Sequence, residues 1–411
     1  MQNKIYLAAL TLILGGYFFN VKLWFLDFGT LYLSAFAIVG FGIVGCINYE
    51  KLNRKLAIVV APLYLAVVTA SISIVVNLPD VDYFLVGALF FLATVCLFSF
   101  GFFKLFSKVK GQPLLVAVIA ALCLNSGLML LMFISPGAQH SYLAILREEG
   151  LELFGGTANA LESMHRFRMI GATGFSTYSA GFAQSIGLFF LAVYYYLARR
   201  KPDLLFLALA LLLAVSAILA ARSSFLGIFL WIIFCFIFFR RRFVPVFSYA
   251  SVLLVIIIYA LIVFTSTDSD DFFSKWLLEL FTSGTSSESL AETVQMLDTP
   301  FMDSGLYGFS RWYGDLGYDY FRSADVGFIR LILAGGFASL FFVVLHFLML
   351  GFIFFRGTDI VFFRTLYCFL IVYFSAVMFK GAILFDFFAF DFLMLMLAWI
   401  ANQNKDIVKI K

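Results

Sequence analysis

The feature that most constrains this chain is a series of apolar runs, each near the length that crosses a membrane. A helix needs about 20 apolar residues to span roughly 30 Å of hydrocarbon. Runs of that kind lie near Ile5–Phe19, Gly29–Ile47, Leu56–Val76, Tyr83–Phe103, Leu114–Ile134 and Ser176–Ala198. The second half adds Leu204–Ala221, Phe225–Phe239, Val246–Phe264, Gly327–Phe355, Ile360–Phe379 and Ile383–Ile400. In lipid the backbone finds no water, so each run must be helical. Barrel strands would be short and would alternate apolar with polar residues, which these do not. Composition agrees: 63% of the 411 residues are hydrophobic and 13% charged, against about 25% charged in soluble domains. Disorder, nucleic-acid binding and a secreted disulfide scaffold are excluded. The expected fold class is an all-α polytopic membrane protein with about 12 spans, forming one integral membrane domain over residues 1–411.

Lysine and arginine in the short connections set the expected orientation. Lys51 with Arg54 and Lys55, Lys104 with Lys108 and Lys110, Arg199 to Lys201, and Arg240 to Arg242 fall on one side. The tail with Lys405, Lys409 and Lys411 joins them. The alternate connections carry acids such as Asp80 and Asp82. Both termini are therefore expected in the cytoplasm, and the basic runs are read as topology signal. The first apolar run lacks a small-x-small cleavage site and leads straight into further spans, unlike a signal peptide. Cys46, Cys96, Cys123, Cys235 and Cys368 all fall within expected spans, which implies no disulfide or metal framework.

Two external connections stand out for length, about Ser135–Phe175 and Thr265–Val326, and long loops usually carry function. In the first, Thr157 can cap a helix through Ala158–Met169. In the second, Phe272, Phe273, Trp276, Leu277 and Leu280 share a helix face opposite Asp271, Lys275 and Glu279, as an interfacial helix would. A capping box, Ser289-x-x-Glu292, opens a further helix. So few large apolar groups would bury little core unaided. The loops read as lids over a site at the outer surface.

External arginines are unexpected under the positive-inside rule and draw attention for that reason. His165 and Arg168 lie one turn apart on an expected helix. Histidine can serve as a general base near neutral pH, and a surface histidine without a role is the plain alternative. Arg166 can pair with Glu162. Arg222 sits in Ala221-Arg222-Ser223-Ser224, a turn barely long enough to reverse the chain between two spans. An arginine at that depth is costly and by default functional, or it snorkels to lipid phosphate. The second loop returns through Arg311-Trp312-Tyr313 and Ser323-Ala324-Asp325-Val326-Gly327, with Arg330 in the first turns of the following span. Asp325 is a substrate contact or simply a cap. Trp312, Tyr313, Tyr318 and Tyr320 form an interfacial belt or stack on sugars. His346, deep in its span, reads as an interhelical hydrogen bonder. Asp386 and Asp391 mark an ion path, or Asp386 pairs with Lys380.

Guanidinium groups gathered at a lipid surface suit an anionic headgroup, because they bind phosphate oxygens bidentately and stay charged. A pyrophosphate leaving an anomeric carbon needs such stabilisation. Arginines can supply that stabilisation without a metal. Three local patterns, Arg168-Met169-Ile170-Gly171, Ala221-Arg222-Ser223-Ser224 and Ser323-Ala324-Asp325-Val326-Gly327-Phe328-Ile329-Arg330, carry a resemblance. With the span count and two long loops, they make the chain resemble the Wzy O-antigen polymerase family, within the wider Wzy and O-antigen ligase superfamily. Ligases typically show histidine then asparagine where this chain has Ala324-Asp325, which favours the polymerases.

That resemblance implies a GT-C-type glycosyltransferase in the bacterial inner membrane, with both long loops periplasmic. Such enzymes join oligosaccharide repeat units carried on undecaprenyl pyrophosphate, without cofactor or metal. On that basis Arg222 and Arg330 are assigned to pyrophosphate, Arg168 and Arg311 to the second lipid or the leaving group, Asp325 to substrate binding, and His165 to base work, with His165 and Arg168 as the catalytic pair. The protein partners to look for are a chain-length regulator and a flippase; nucleic acid is not among them. The alternatives are an O-antigen ligase, which passes the chain to lipid A core, and a lipid-linked oligosaccharide flippase or other transporter.

Overall fold

Helices form wherever the sequence is apolar for long enough, since only i→i−4 bonding satisfies a backbone that lipid surrounds. The computed structural model describes residues 2–25, 29–47, 54–106, 112–146, 171–172, 177–239, 302–314, 321–323, 326–357 and 360–403. The helices among them are α1 (Gln2–Phe19), α2 (Thr30–Ile47), α3 (Arg54–Asn77), α4 (Phe84–Phe106), α5 (Gln112–Ile134) and α6 (Pro136–Leu143). There follow α7 (Thr177–Leu197), α8 (Leu204–Ala220) and α9 (Ser224–Phe239). The last are α10 (Gly327–Gly357), α11 (Val361–Met378), α12 (Ile383–Asp386) and α13 (Ala389–Gln403).

The chain is a polytopic helical membrane protein. Among the described residues, seven helices are long and apolar enough to cross a membrane, and four shorter apolar helices accompany them. The span expected at Val246–Phe264 lies outside the described residues, as do the expected helices beginning near Thr157, Asp271 and Ser289. An isolated antiparallel β bridge joins Leu23 and Leu146. The start of the first long loop is itself helical. Ser135 caps α6 by accepting from the Ala138 N–H, and Pro136 takes the first turn, where its missing N–H costs nothing.

Two compact units divide the chain: Met1–Ser34 with Gln112–Ser287, and Ala35–Gly111 with Glu288–Lys411. In the first, α5 packs against α1, α6, α7 and α8, and α7 lies along α8. Aromatic rings lock α9 to this group, Phe234 against Phe189 and Trp231 stacked on Phe206. A polar knot sits among them, where the Ser126 hydroxyl donates to Gln184 Oε1 at 3.1 Å and meets the Ser216 hydroxyl at 2.8 Å. Small polar groups of this kind hold membrane helices together where apolar contact with lipid would be equally good.

In the second unit α3 packs along α10 and α4, and α13 fits against α4, α10 and α11. Two runs that read as continuous spans are broken here. The last span is the short α12, an interruption at Phe387–Phe388, and then α13. The tenth is interrupted at Gly336, whose φ of 72° and ψ of 179° lie outside any helix. His346 is the interhelical hydrogen bonder expected of it, and the structure supplies the partners that the sequence did not show. Its Nε2 lies 3.2 Å from Asp391 Oδ1 and its Nδ1 2.8 Å from the Val59 carbonyl.

Candidate functional site: the return segment of the second loop

The break in α10 supplies the anchorage for the segment over residues 302–314. An interrupted helix leaves carbonyl and amide groups without intrahelical partners, and within a membrane protein each must be met locally. The return segment meets them. Phe309 and Ser310 donate their backbone N–H groups to the carbonyls of Leu333 and Ala334, at 2.6 and 3.0 Å. Phe337 and Ala338 donate to the carbonyls of Gly305 and Leu306, at 3.2 and 3.1 Å. Such closeness requires glycine on both sides. A Cβ on Gly336 would stand 2.1 Å from the Leu306 carbonyl oxygen, and one on Gly308, whose φ is +70°, would stand 2.5 Å from the Gly336 nitrogen.

Helix α3 adds side-chain ties to the same segment. The Ser73 and Ser310 hydroxyls meet at 2.5 Å, and Asn77 Nδ2 donates to the Gly308 carbonyl at 3.0 Å. Asp82 finishes the anchorage from the turn before α4. Its Oδ2 accepts the N–H groups of Trp312 and Tyr313, at 2.5 and 3.1 Å, while Oδ1 accepts that of Phe84 at 3.1 Å. Its own N–H donates to the Ser310 carbonyl at 2.9 Å. One carboxylate thus holds the loop and starts a helix, as charge-assisted bonds to backbone N–H groups do well.

This frame positions three guanidinium groups. Arg330 is the fourth residue of α10 and only 5% exposed. Its guanidinium carbon lies 4.2 Å from the centre of the Trp312 ring, a close cation–π contact. Trp312 is 2% exposed and packed by Phe84 and Phe385, at ring distances of 5.0 and 4.9 Å. It is therefore a buried support for Arg330, which removes it from the sugar-stacking and interfacial-belt readings. Arg311 is partly exposed, donates through Nε to the Asp80 carbonyl at 3.2 Å, and lies 3.8 Å from its carboxylate. Arg322 stacks on Phe309 at 4.5 Å, and both Arg322 and Arg311 lie within 6 Å of the Phe321 ring. Phe309 and Phe321 in turn pack on a core of Val326, Ile329 and Leu333.

In the first unit, Arg222 occupies the turn expected of it, with α8 ending at Ala220 and α9 starting at Ser224. The turn closes through the Ser224 N–H to the Ala221 carbonyl and the Phe225 N–H to the Arg222 carbonyl, each at 3.1 Å. It seats on α7 at Gly181, where a Cβ would collide with Ser224 and Ala221. Arg222 itself is half-buried. The described end of the first long loop is pinned nearby in the same unit's α5, where Asn125 Oδ1 accepts the Ala172 N–H at 2.6 Å.

Of the residues singled out from sequence, Arg222, Arg311 and Arg330 are placed as above. His165, Arg168 and Asp325, like Tyr318 and Tyr320, lie outside the described residues. Sequence reasoning missed Asp82 as an anchor and Arg322 as a third guanidinium. Asp82 carries a partial signal, an acid two residues before an apolar helix; its bonds to residues 230 positions away carry none. Among the described residues no group of three His, Cys, Asp or Glu side chains is placed to hold a metal. Chemically, the return segment offers fixed positive charge backed by aromatic rings, which suits an anion brought to one end of the bundle. Compared with protein-family models, curated proteins and solved structures, the chain finds no match.

Proposed function

We propose that this protein is a polysaccharide polymerase of the inner membrane, related to the Wzy enzymes. It elongates glycans carried on undecaprenyl pyrophosphate at the periplasmic face. In this reading a hydroxyl of a fresh lipid-linked unit attacks the anomeric carbon of the growing chain. The glycosidic bond to phosphate breaks, the hydroxyl proton passes to a base, and undecaprenyl pyrophosphate leaves. About 12 spans in a GT-C-type arrangement belong to the same proposal.

The observation that carries it is the buried Arg330 on Trp312, in a return segment held by Asp82 and the interrupted α10. A charge kept at such a depth, backed by a ring and fixed by four backbone bonds, is a costly arrangement that ordinary packing does not need. Preorganised guanidinium groups stabilise charge that develops on a leaving phosphate. Arg330, with Arg311 and Arg322 beside it, is assigned to the pyrophosphate of one substrate, and Arg222 and Arg168 to the second. His165 is assigned as the base and Asp325 as a substrate contact.

The test is polymerisation in vitro by purified protein with a lipid-linked repeat unit. Alanine variants at Arg330, Arg222 and Arg168 should lose the product ladder while staying folded. Retained laddering in Arg330→Ala and Arg222→Ala would remove the assignment. One observation favours a second reading. The His346–Asp391 pair within the bundle is the kind of group that transporters use. Movement of a lipid-linked oligosaccharide across liposomes without bond formation would decide for it.

A further inference from the structure

The last span holds one acid that nothing described around it answers. Between Gly381 and Ala401 every residue is buried except Phe388, which is half-buried, and Asp386, which is exposed. α12 and α13 thus run through the interior of the second unit, with protein on nearly every side. Protein also surrounds Asp386 closely, so its exposure is that of a group lining a narrow opening and not of one facing lipid. Its carboxylate forms no hydrogen bond or ion pair with any described residue, including Lys380, which sequence spacing offers as a partner. A carboxylate at membrane depth is costly and by default functional.

Its place follows from how α12 meets α10. The two helices begin side by side, since a Cβ on Gly327 would stand 2.5 Å from the Gly381 carbonyl oxygen and 2.8 Å from the Ala382 Cα. Further along His346 meets Asp391, so the two strands of chain run in parallel. Arg330 lies in the first turn after Gly327 and Asp386 in the first turn after Ala382, which puts each roughly 5 Å in from that shared start. The rings between them are continuous. The Arg330 guanidinium lies 4.2 Å from the Trp312 ring centre, and Trp312 meets Phe385, the neighbour of Asp386, at 4.9 Å. A fixed cation and an open anion therefore flank one aromatic support without pairing with each other.

We propose that Asp386 binds sugar hydroxyls of the substrate whose phosphate lies at Arg330. The inference rests on the polymerase reading and names the second half of its ligand. An ionised carboxylate only accepts hydrogen bonds, and its two oxygens can take two neighbouring hydroxyls at once. Bonds to a charged acceptor are about twice as strong as neutral ones. A glycan carried on phosphate supplies both complements, an anion for Arg330 and adjacent donors for Asp386. The bare lipid carrier satisfies Arg330 alone and leaves Asp386 unmet. Asp386 thereby distinguishes the glycan-bearing lipid from the spent carrier that the reaction releases.

Equilibrium binding to the full-length protein in nanodiscs tests this, with a lipid-linked repeat unit and bare undecaprenyl pyrophosphate as the two probes. Wild type should bind the repeat unit more tightly than the bare carrier. Asp386→Asn keeps the shape and removes the charge. It should bind the repeat unit about 10-fold more weakly and the bare carrier as wild type does. Arg330→Ala should weaken both. Equal affinity of wild type for the two probes would overturn the proposal and leave the polymerase reading standing. So would an Asp386→Asn protein that binds both as wild type does, or loses both alike. Wild type binding neither probe would refute the polymerase reading, and this proposal with it. If Asp386→Asn does not accumulate, Asp386→Glu replaces it. Its displaced carboxylate should weaken binding of the repeat unit alone, and unchanged affinity would overturn the proposal equally. The opening has its own check, because Asp386→Cys should react with a membrane-impermeant thiol reagent above the wild-type background and be protected by the repeat unit. An unreactive Asp386→Cys would remove the opening and the proposal.

Discussion

Substitution of Gly336 by alanine tests how the return segment is held. The added Cβ would stand 2.1 Å from the Leu306 carbonyl oxygen and 2.5 Å from the Tyr307 nitrogen. Both are backbone atoms, so no side chain can swing aside. Restoring ordinary contact requires the 305–310 backbone to retreat by about 1 Å or more. That stretches the four bonds joining Gly305, Leu306, Phe309 and Ser310 to the break in α10. A residue with a side chain at φ 72°, ψ 179° also pays about 1–3 kcal/mol for its conformation. With about 0.5 kcal/mol for each of the four backbone bonds weakened, the total is about 3–5 kcal/mol. In a unit of this size that lowers the melting temperature by on the order of 10 °C. Intrinsic-fluorescence melting in detergent measures it. Gly87→Ala is the control, since a Cβ there, in the first turn of α4, meets nothing within 4 Å. It should leave stability unchanged or raise it by up to about 1 kcal/mol. A Gly336→Ala protein melting at or above wild type would refute the reasoning, because the loop would then not be seated in the break.

Other positions answer to the same logic. Asp82→Asn places an N–H donor or a weaker acceptor against the Trp312 and Tyr313 N–H groups, and should cost about 2–4 kcal/mol in the same melting experiment. Arg330→Lys keeps the charge but loses the planar group that lies over Trp312. It should melt near wild type while polymerising at least ~100-fold more slowly, the scale of losing one preorganised donor. Asp203 caps α8 through the Phe206 N–H and also accepts the Tyr195 hydroxyl at 2.7 Å. Asp203→Ala should therefore destabilise by about 1 kcal/mol. The Phe206 N–H, then the Tyr195 hydroxyl, hold the Asp203 carboxyl below its ordinary value. The cap's contribution is thus full above the unfolded carboxyl's pKa and disappears as pH falls through the lower folded value. Urea melts at successive pH values should show the wild-type advantage over Asp203→Ala shrinking only toward the acidic end.

Much of the architecture was legible because lipid leaves the backbone one choice. Among the described residues a helix stands in every expected span, and α6 adds one at the start of the first long loop. The interruptions were not legible. Gly335-Gly336 looks like a small-residue patch for helix packing, and only the donors of residues 305–310 make a break tolerable there. Phe387–Phe388 gives no local sign of breaking a span. The turn around Arg222 was visible because two apolar runs stand too close for anything but a sharp reversal. Arg330 was placed correctly by its distance from Gly327, whereas its burial against Trp312 depends on α4 and Phe385, far away in sequence. For the same reason the pairing of His346 with Asp391, 45 residues apart, escaped a periodicity argument confined to one helix at a time.

The proposed activity makes a glycosidic bond and releases the lipid pyrophosphate that carried the donor. The most direct measurement counts both products in proteoliposomes supplied with a lipid-linked repeat unit alone. One undecaprenyl pyrophosphate should appear for each new glycosidic bond, and both should fall together in Arg330→Ala. Translocation of the intact lipid-linked unit, with neither polymer nor free undecaprenyl pyrophosphate formed, would contradict it.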